Sequence, residues 1–181
     1  MTCTLTQLSE PTMRALLEDP AQVFRLVSPG LASVARGFSP YARDPIELAE
    51  GDGRQLDLGK SWNGIHFLLT GMVEGGPLPL AFICSTELMA VGQVDVGYGP
   101  ARLLPPAQVD ELQAALTSVK GSELASNFDP GKMDALEVYP GVWGREDGLD
   151  RLDEVKHSFD ELKAFVEEAS RAGGGIIVAI Q

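Results

Sequence analysis

Residues 56–71, LDLGKSWNGIHFLLTG, constrain the fold of this chain more than any other stretch. Trp62, Ile65, His66 and Leu69 fall at i, i+3, i+4 and i+7, with Phe67 and Leu68 between them, and His66 is one of only two histidines. Two structures compete for the segment. Asn63-Gly64 between apolar runs is the strongest short-range hairpin signal, which would pair residues 58–62 with 65–70 as strands. The 3.6-residue spacing instead describes a helix, with Asp57 or Ser61 as N-cap and Gly71 just past the end. Gly59 and Gly64 each cost such a helix about 1 kcal/mol relative to Ala. A helix apolar nearly all round is stabilised by burial rather than propensity, so the helix is the preferred reading.

A chain of 181 residues with 44% hydrophobic and 22% charged residues has the size and composition of one folded domain, spanning residues 1–181. The formal charge of −12 removes the electrostatic footprint for nucleic acid or an anionic membrane and favours a basic partner. It also opposes self-association, so a monomer is expected. Cys3 and Cys84 are too few for a zinc site or a disulfide framework. The first residues have no basic n-region or long apolar h-region, and no apolar run approaches the length of a membrane span. The expected compartment is the cytoplasm.

Residues 1–8 alternate threonines with apolar residues and read as a short strand. Ser9 reads as the N-cap of a helix running to about Glu18, with Pro11 in its first turn. Asp19-Pro20 breaks it, and a second short helix through Phe24, Leu26 and Val27 stops near Pro29-Gly30. Both look like a lid on a core built elsewhere. Residues 31–53 are loop-like, with a turn of helix over 46–49. Residues 80–84 form an apolar run with the length of a buried strand or the start of a helix. After the turn Gly97-Tyr98-Gly99-Pro100, residues 101–104 form a strand, and Pro106 opens a helix carrying Val109, Leu112, Leu116 and Val119. Residues 122–128 and 132–137 add turns of helix, and 138–143 are extended because Pro140 restricts the residue before it. A long amphipathic helix covers about 149–172, with a break near His157-Ser158. Gly173-Gly174-Gly175 ends it, and the β-branched run 176–180 is a central strand. The expected fold is α/β or α+β, a single layered domain with a mixed β-sheet covered by helices.

Three blocks, LDLGKSWNGIHFLLTG, GYGPARLL before a helix, and MDALEVYPGVW, stand in an order and spacing that resembles the YfbM-like bacterial family, a domain of unknown function. The resemblance covers almost the whole chain. Its most specific elements are Lys60, Trp62, His66, Phe67, Thr70 and Gly71, together with Val138-Tyr139-Pro140-Gly141. It implies one compact domain with the first block on a helix, and no activity, substrate or catalytic residue. Gly59 departs from the family pattern, which places an acidic residue there.

The residues themselves offer two functional classes. P-loop, nucleophile-elbow, dinucleotide and metal-ligand motifs are all missing, and no cofactor or metal is expected. A non-enzymatic binding module neutralising a basic protein partner is therefore the first reading, since opposite charge speeds encounter. The runner-up is a small-molecule binder or enzyme. Its candidate ligand-binding residues are His66, Lys60, Trp62, Tyr98, Arg102, Tyr139 and Trp143. Aromatics beside an arginine in Gly/Pro-rich segments suit a planar or anionic ligand. His66 has the chemistry of an acid, base or ligand, but on a buried helix a structural role is favoured. Lys60 and Asp57 are expected to pair at i, i+3, and Asp147, Asp150, Asp153 and Glu154 to form the solvated start of the long helix.

Overall fold

The computed structural model describes residues 1–27, 47–49, 51–145 and 148–181. Its centre is β5 (Gly175–Ile180), buried on both faces. β1 (Cys3–Leu8) pairs with one edge of β5 and β4 (Pro100–Leu104) with the other, both antiparallel, with Leu5 opposite Val178 and Leu103 opposite Ile177. β2 (Gln55–Asp57) extends the sheet beyond β1, and β3 (Met89–Asp95) extends it beyond β4, giving the order β2-β1-β5-β4-β3. The central strand at 176–180 is thus as the sequence indicates, and of the two classes left open the antiparallel pairing selects α+β.

Side chains on the two faces of the sheet enter separate cores. Cys3, Leu5, Leu104, Ile176 and Val178 enter the larger, which is closed by α3 (Trp62–Thr70), α4 (Pro106–Ser118), α5 (Gly121–Asn127), α6 (Pro130–Ala135) and α7 (Gly148–Arg171). The α7 stripe Leu152, Val155, Phe159, Leu162, Phe165, Val166 and Ala169 is buried there, and the helix runs through His157-Ser158 without the expected break. Leu8, Leu103, Ile177 and Ala179 enter the smaller core, covered by α1 (Glu10–Glu18) and α2 (Val23–Val27). These two helices build a core of their own instead of lying over another. The cap of α1 is also supplied from outside. Ser9 stands at the N-cap without capping through its side chain, while the Asp52 carboxylate accepts from Ser9 N, Ser9 Oγ, Thr12 Oγ1 and Ala49 N. Such charge-assisted bonds suit the positive end of the helix.

Several local expectations change. Of the two N-caps open to the helix of the opening stretch, Ser61 is the one used and the helix starts at Trp62. The Asp57 alternative is lost because Leu56 and Asp57 pair with Leu5 and Thr4 as β2 and the Asp57 carboxylate turns the chain by accepting from Gly59 N at 2.8 Å. Gly71, at φ 72, ends it, donating its N–H to Phe67 O at 2.7 Å. Residues 80–84 are consecutive turns, with Ala81, Phe82 and Ile83 buried, rather than strand or helix. Pro77 and Pro79 deprive the segment of backbone donors that a regular element would use. Residues 138–143 are turns instead of an extended segment, with Gly141 N donating to Val138 O at 2.9 Å. Residues 47–49 form no helix; residues 31–46, Pro29-Gly30 and Asp147 lie outside the described residues.

Asn63-Gly64 is not a turn. Both residues are buried within α3, and a Cβ on Gly64 would stand 2.5 Å from the Trp143 indole. Helix propensity favours Gly64→Ala by about 1 kcal/mol. The overlap should outweigh it, with a net loss of about 1–3 kcal/mol. Urea unfolding measures the sign, and an alanine variant as stable as the parent would show that the indole moves freely.

Candidate functional site

Trp62 begins α3 and is 4% exposed. The ring of Tyr139 stacks on it, with centroids 5.9 Å apart and planes inclined at 26°. The Asn63 side chain fixes this arrangement from both sides. Its Oδ1 accepts from Tyr139 N at 2.8 Å, and its Nδ2 donates to Val73 O at 2.8 Å. The third aromatic comes from the β3–β4 turn, where Asp95 Oδ1 accepts from Gly97 N and Gly99 N, and Tyr98 N donates to Ile180 O at 2.9 Å. Trp62, Tyr98 and Tyr139 together line a cavity of about 500 Å³ that also carries Glu74, Asp134 and Glu137.

A smaller cavity of about 190 Å³ shares Trp62, Glu74 and Tyr98 with the first and is lined also by Arg102 and Cys84. Four of the residues expected to meet, Trp62, Tyr98, Arg102 and Tyr139, are therefore neighbours along one cleft. Arg102 Nη1 lies 3.5 Å from Leu88 O. Burial pushes the Cys84 thiol up to about 12, with Glu74 adding to the shift and Arg102 opposing it. The thiol is protonated near neutral pH and is no nucleophile.

The remaining three candidates lie elsewhere. Lys60 and Trp143 line a separate recess on the far side of the Tyr139–Gly141 turn, with Pro140 shared between recess and cleft. No ion pair joins Lys60 to Asp57 among the described residues, since the Asp57 carboxylate is used in its own turn. His66 is fully buried and lines none of these cavities. Neither ring nitrogen reaches hydrogen-bond geometry with a partner. Burial lowers its pKa to about 4, and the backbone of Gly75 opposes part of that shift. His66 is thus neutral near pH 7 and has no access to the cleft. His157 is exposed on α7, 3.7 Å from Glu161.

Glu74, Asp134 and Glu137 were not among the sequence candidates. Glu74-Gly75-Gly76-Pro77 is legible as a loop, but nothing local shows that it folds back over Trp62; that depends on the Asn63–Val73 bond. Among the described residues no group of three or more His, Cys, Asp or Glu side chains converges to hold a metal, and no helix is long and apolar enough to cross a membrane.

The fold and cleft define a small α+β domain, an antiparallel sheet with helices on both faces and an open aromatic cavity by the end of the central strand, where Met1 and Tyr98 lie. The chain belongs to the family described as a domain of unknown function, DUF1877, which it matches over residues 1–179. Its fold is similar to the crystal structure of YfbM from Escherichia coli, a protein of unknown function, with 18% identity, a TM-score of 0.67, and 98% of each chain covered. No curated protein matches the chain.

The buried imidazole makes stability depend on pH. Its folded pKa of about 4 lies below the ordinary 6.5, so between these values the unfolded chain binds the extra proton and stability rises with pH. The contribution is whole above about pH 6.5 and is lost as pH falls toward about 4, a span corresponding to roughly 3 kcal/mol. Denaturant unfolding at neutral and mildly acidic pH should show a loss in the parent that is reduced in His66→Leu. Equal losses in both would show that the folded chain protonates His66 without penalty.

Proposed function

We propose that the protein is a non-enzymatic binding module whose cleft takes a small organic cation, an amine or quaternary ammonium group held against Trp62, Tyr98 and Tyr139. The observation that carries this reading is the placing of those three rings and the carboxylates of Glu74, Asp134 and Glu137 around one cavity. Aromatic faces attract cations through the ring quadrupole, by about 0.5–2 kcal/mol depending on desolvation. Carboxylates along the opening concentrate cations there. Glu137 adds a second support. It is at φ 58, the only non-glycine at positive φ among the described residues, a conformation that costs a side-chain-bearing residue about 1 kcal/mol. Arg102, which suggests an anionic ligand from sequence, lines the smaller cavity together with Glu74, whereas the wider cavity sets three carboxylates against one cation, the Met1 ammonium, which donates to Tyr139 Oη at 3.0 Å.

The protonated Cys84 and the inaccessible His66 favour binding over catalysis. A monomer in the cytoplasm belongs to the same reading, supported by the charge of −12 and by two unpaired thiols. The same charge, with an exposed Glu74 and Glu137 at the opening, favours as a second reading a lysine side chain presented by a basic protein partner.

Titration with tetramethylammonium, followed by tryptophan emission in a Trp143→Phe background, tests the proposal against neopentyl alcohol, a neutral compound of similar size and shape. Saturable binding of the cation alone is expected, weakened about fivefold or more in Tyr98→Ala and in Glu137→Gln. Equal binding of the neutral compound, or binding unaffected by either substitution, overturns it. A lysine-rich peptide that binds where tetramethylammonium does not would transfer the role to the protein partner.

A further inference from the structure

The recess behind the Tyr139–Gly141 turn has the opposite electrostatic character. It has a volume of about 280 Å³ and, among the described residues, is lined by Lys60, Arg145 and Arg151, with Ser61 and one carboxylate, that of Glu154. In a chain with 14 Lys and Arg against 26 Asp and Glu, three cations around one concavity are a local reversal of the overall charge. Arg151 is held by Glu154, Nη1 to Oε2 at 2.8 Å, which fixes one edge of the recess. Lys60 and Arg145 are exposed, and neither side chain makes an ion pair or hydrogen bond among the described residues.

We infer that this recess is an anion-binding site for a phosphate group, distinct from the aromatic cleft and separated from it by Pro140. Lys60 and Arg145 supply the charge, and Ser61, whose side chain makes no cap bond to α3, supplies a hydroxyl. The recess lies against the side of α7 through Arg151, Glu154 and Val155. Guanidinium and ammonium groups together match the several acceptor oxygens of a phosphate better than a single-point anion. The inference does not rest on the cation reading of the cleft.

Calorimetric titration with pyrophosphate at low ionic strength, with inorganic phosphate alongside, tests it. Saturable binding is expected, tighter for pyrophosphate, and weakened about three- to fivefold by Lys60→Ala and by Arg145→Ala, the modest size reflecting their exposure. Lys156→Ala removes the same charge from α7 outside the recess and should leave the affinity within twofold. Tyr98→Ala should also leave it unchanged, which separates this site from the cleft. Absence of saturable binding overturns the inference, as does a Lys156→Ala loss equal to that of Lys60→Ala, which would reduce the effect to net charge. Lys60, Arg145 and Tyr98 are exposed and Lys156 is half-buried, and thermal unfolding of each variant confirms that it is folded as the parent.

Discussion

Both faces of β5 are given to side-chain packing, Ile176 and Val178 on one and Ile177 and Ala179 on the other. No water reaches the backbone of such a strand, so both of its hydrogen-bonding edges must be met by other strands, and β1 and β4 meet them. Everything else follows from filling the two spaces above and below. The larger space takes α7 and the helices around it, and α1 and α2 close the smaller. The turn preceding β4 is tied to the end of β5 through Tyr98 N and Ile180 O, which is what places Tyr98 beside the start of α3.

Within the larger layer, two adjacent residues organise the functional surface. Asn63 bonds backbone groups on either side of Trp62, and Gly64 lets the Trp143 indole lie against the helix backbone. Trp143 Nε1 in turn donates to Val138 O at 2.7 Å, and its backbone N–H is held by Asp134. The turn at Tyr139–Gly141 is therefore anchored at Asn63, at Val138 and at Trp143. That turn is the wall between an acidic aromatic cleft and a basic recess, and the charge separation across it requires the wall to stay in place. The stacking of Tyr139 on Trp62 depends on the same bonds.

His66 shows how a chemically versatile residue is withdrawn from chemistry. An imidazole with both nitrogens unpaired is costly to bury, by about 1–3 kcal/mol for each unmet group. Burial also keeps the ring neutral, which forfeits acid–base function near pH 7. Cys84 is treated alike, its thiol kept protonated by burial and by Glu74.

What the sequence determined by itself is the one-dimensional pattern of burial. The stripe of α7, the apolar run of β5 and the buried body of α3 were all legible, because side-chain period and hydrophobicity alone specify which face turns inward. So were Tyr98 and Tyr139, as aromatic side chains in Gly/Pro-rich segments, and Trp62, as part of the stripe of α3. Tertiary structure decided the rest. Asn63-Gly64 has the local chemistry of a hairpin, yet its role is fixed by partners 10 and 76 residues away. Between Asp57 and Ser61 as N-cap of α3, tertiary structure selects Ser61, because β1 offers Leu56 and Asp57 a ladder, an interaction invisible in the segment's own periodicity. His66 lies in the interior, as its place in the buried stripe indicates, but Glu74, Asp134 and Glu137 reach the cleft from loops and a short helix. Such convergence is set by hydrogen bonds across long separations, which no local propensity encodes.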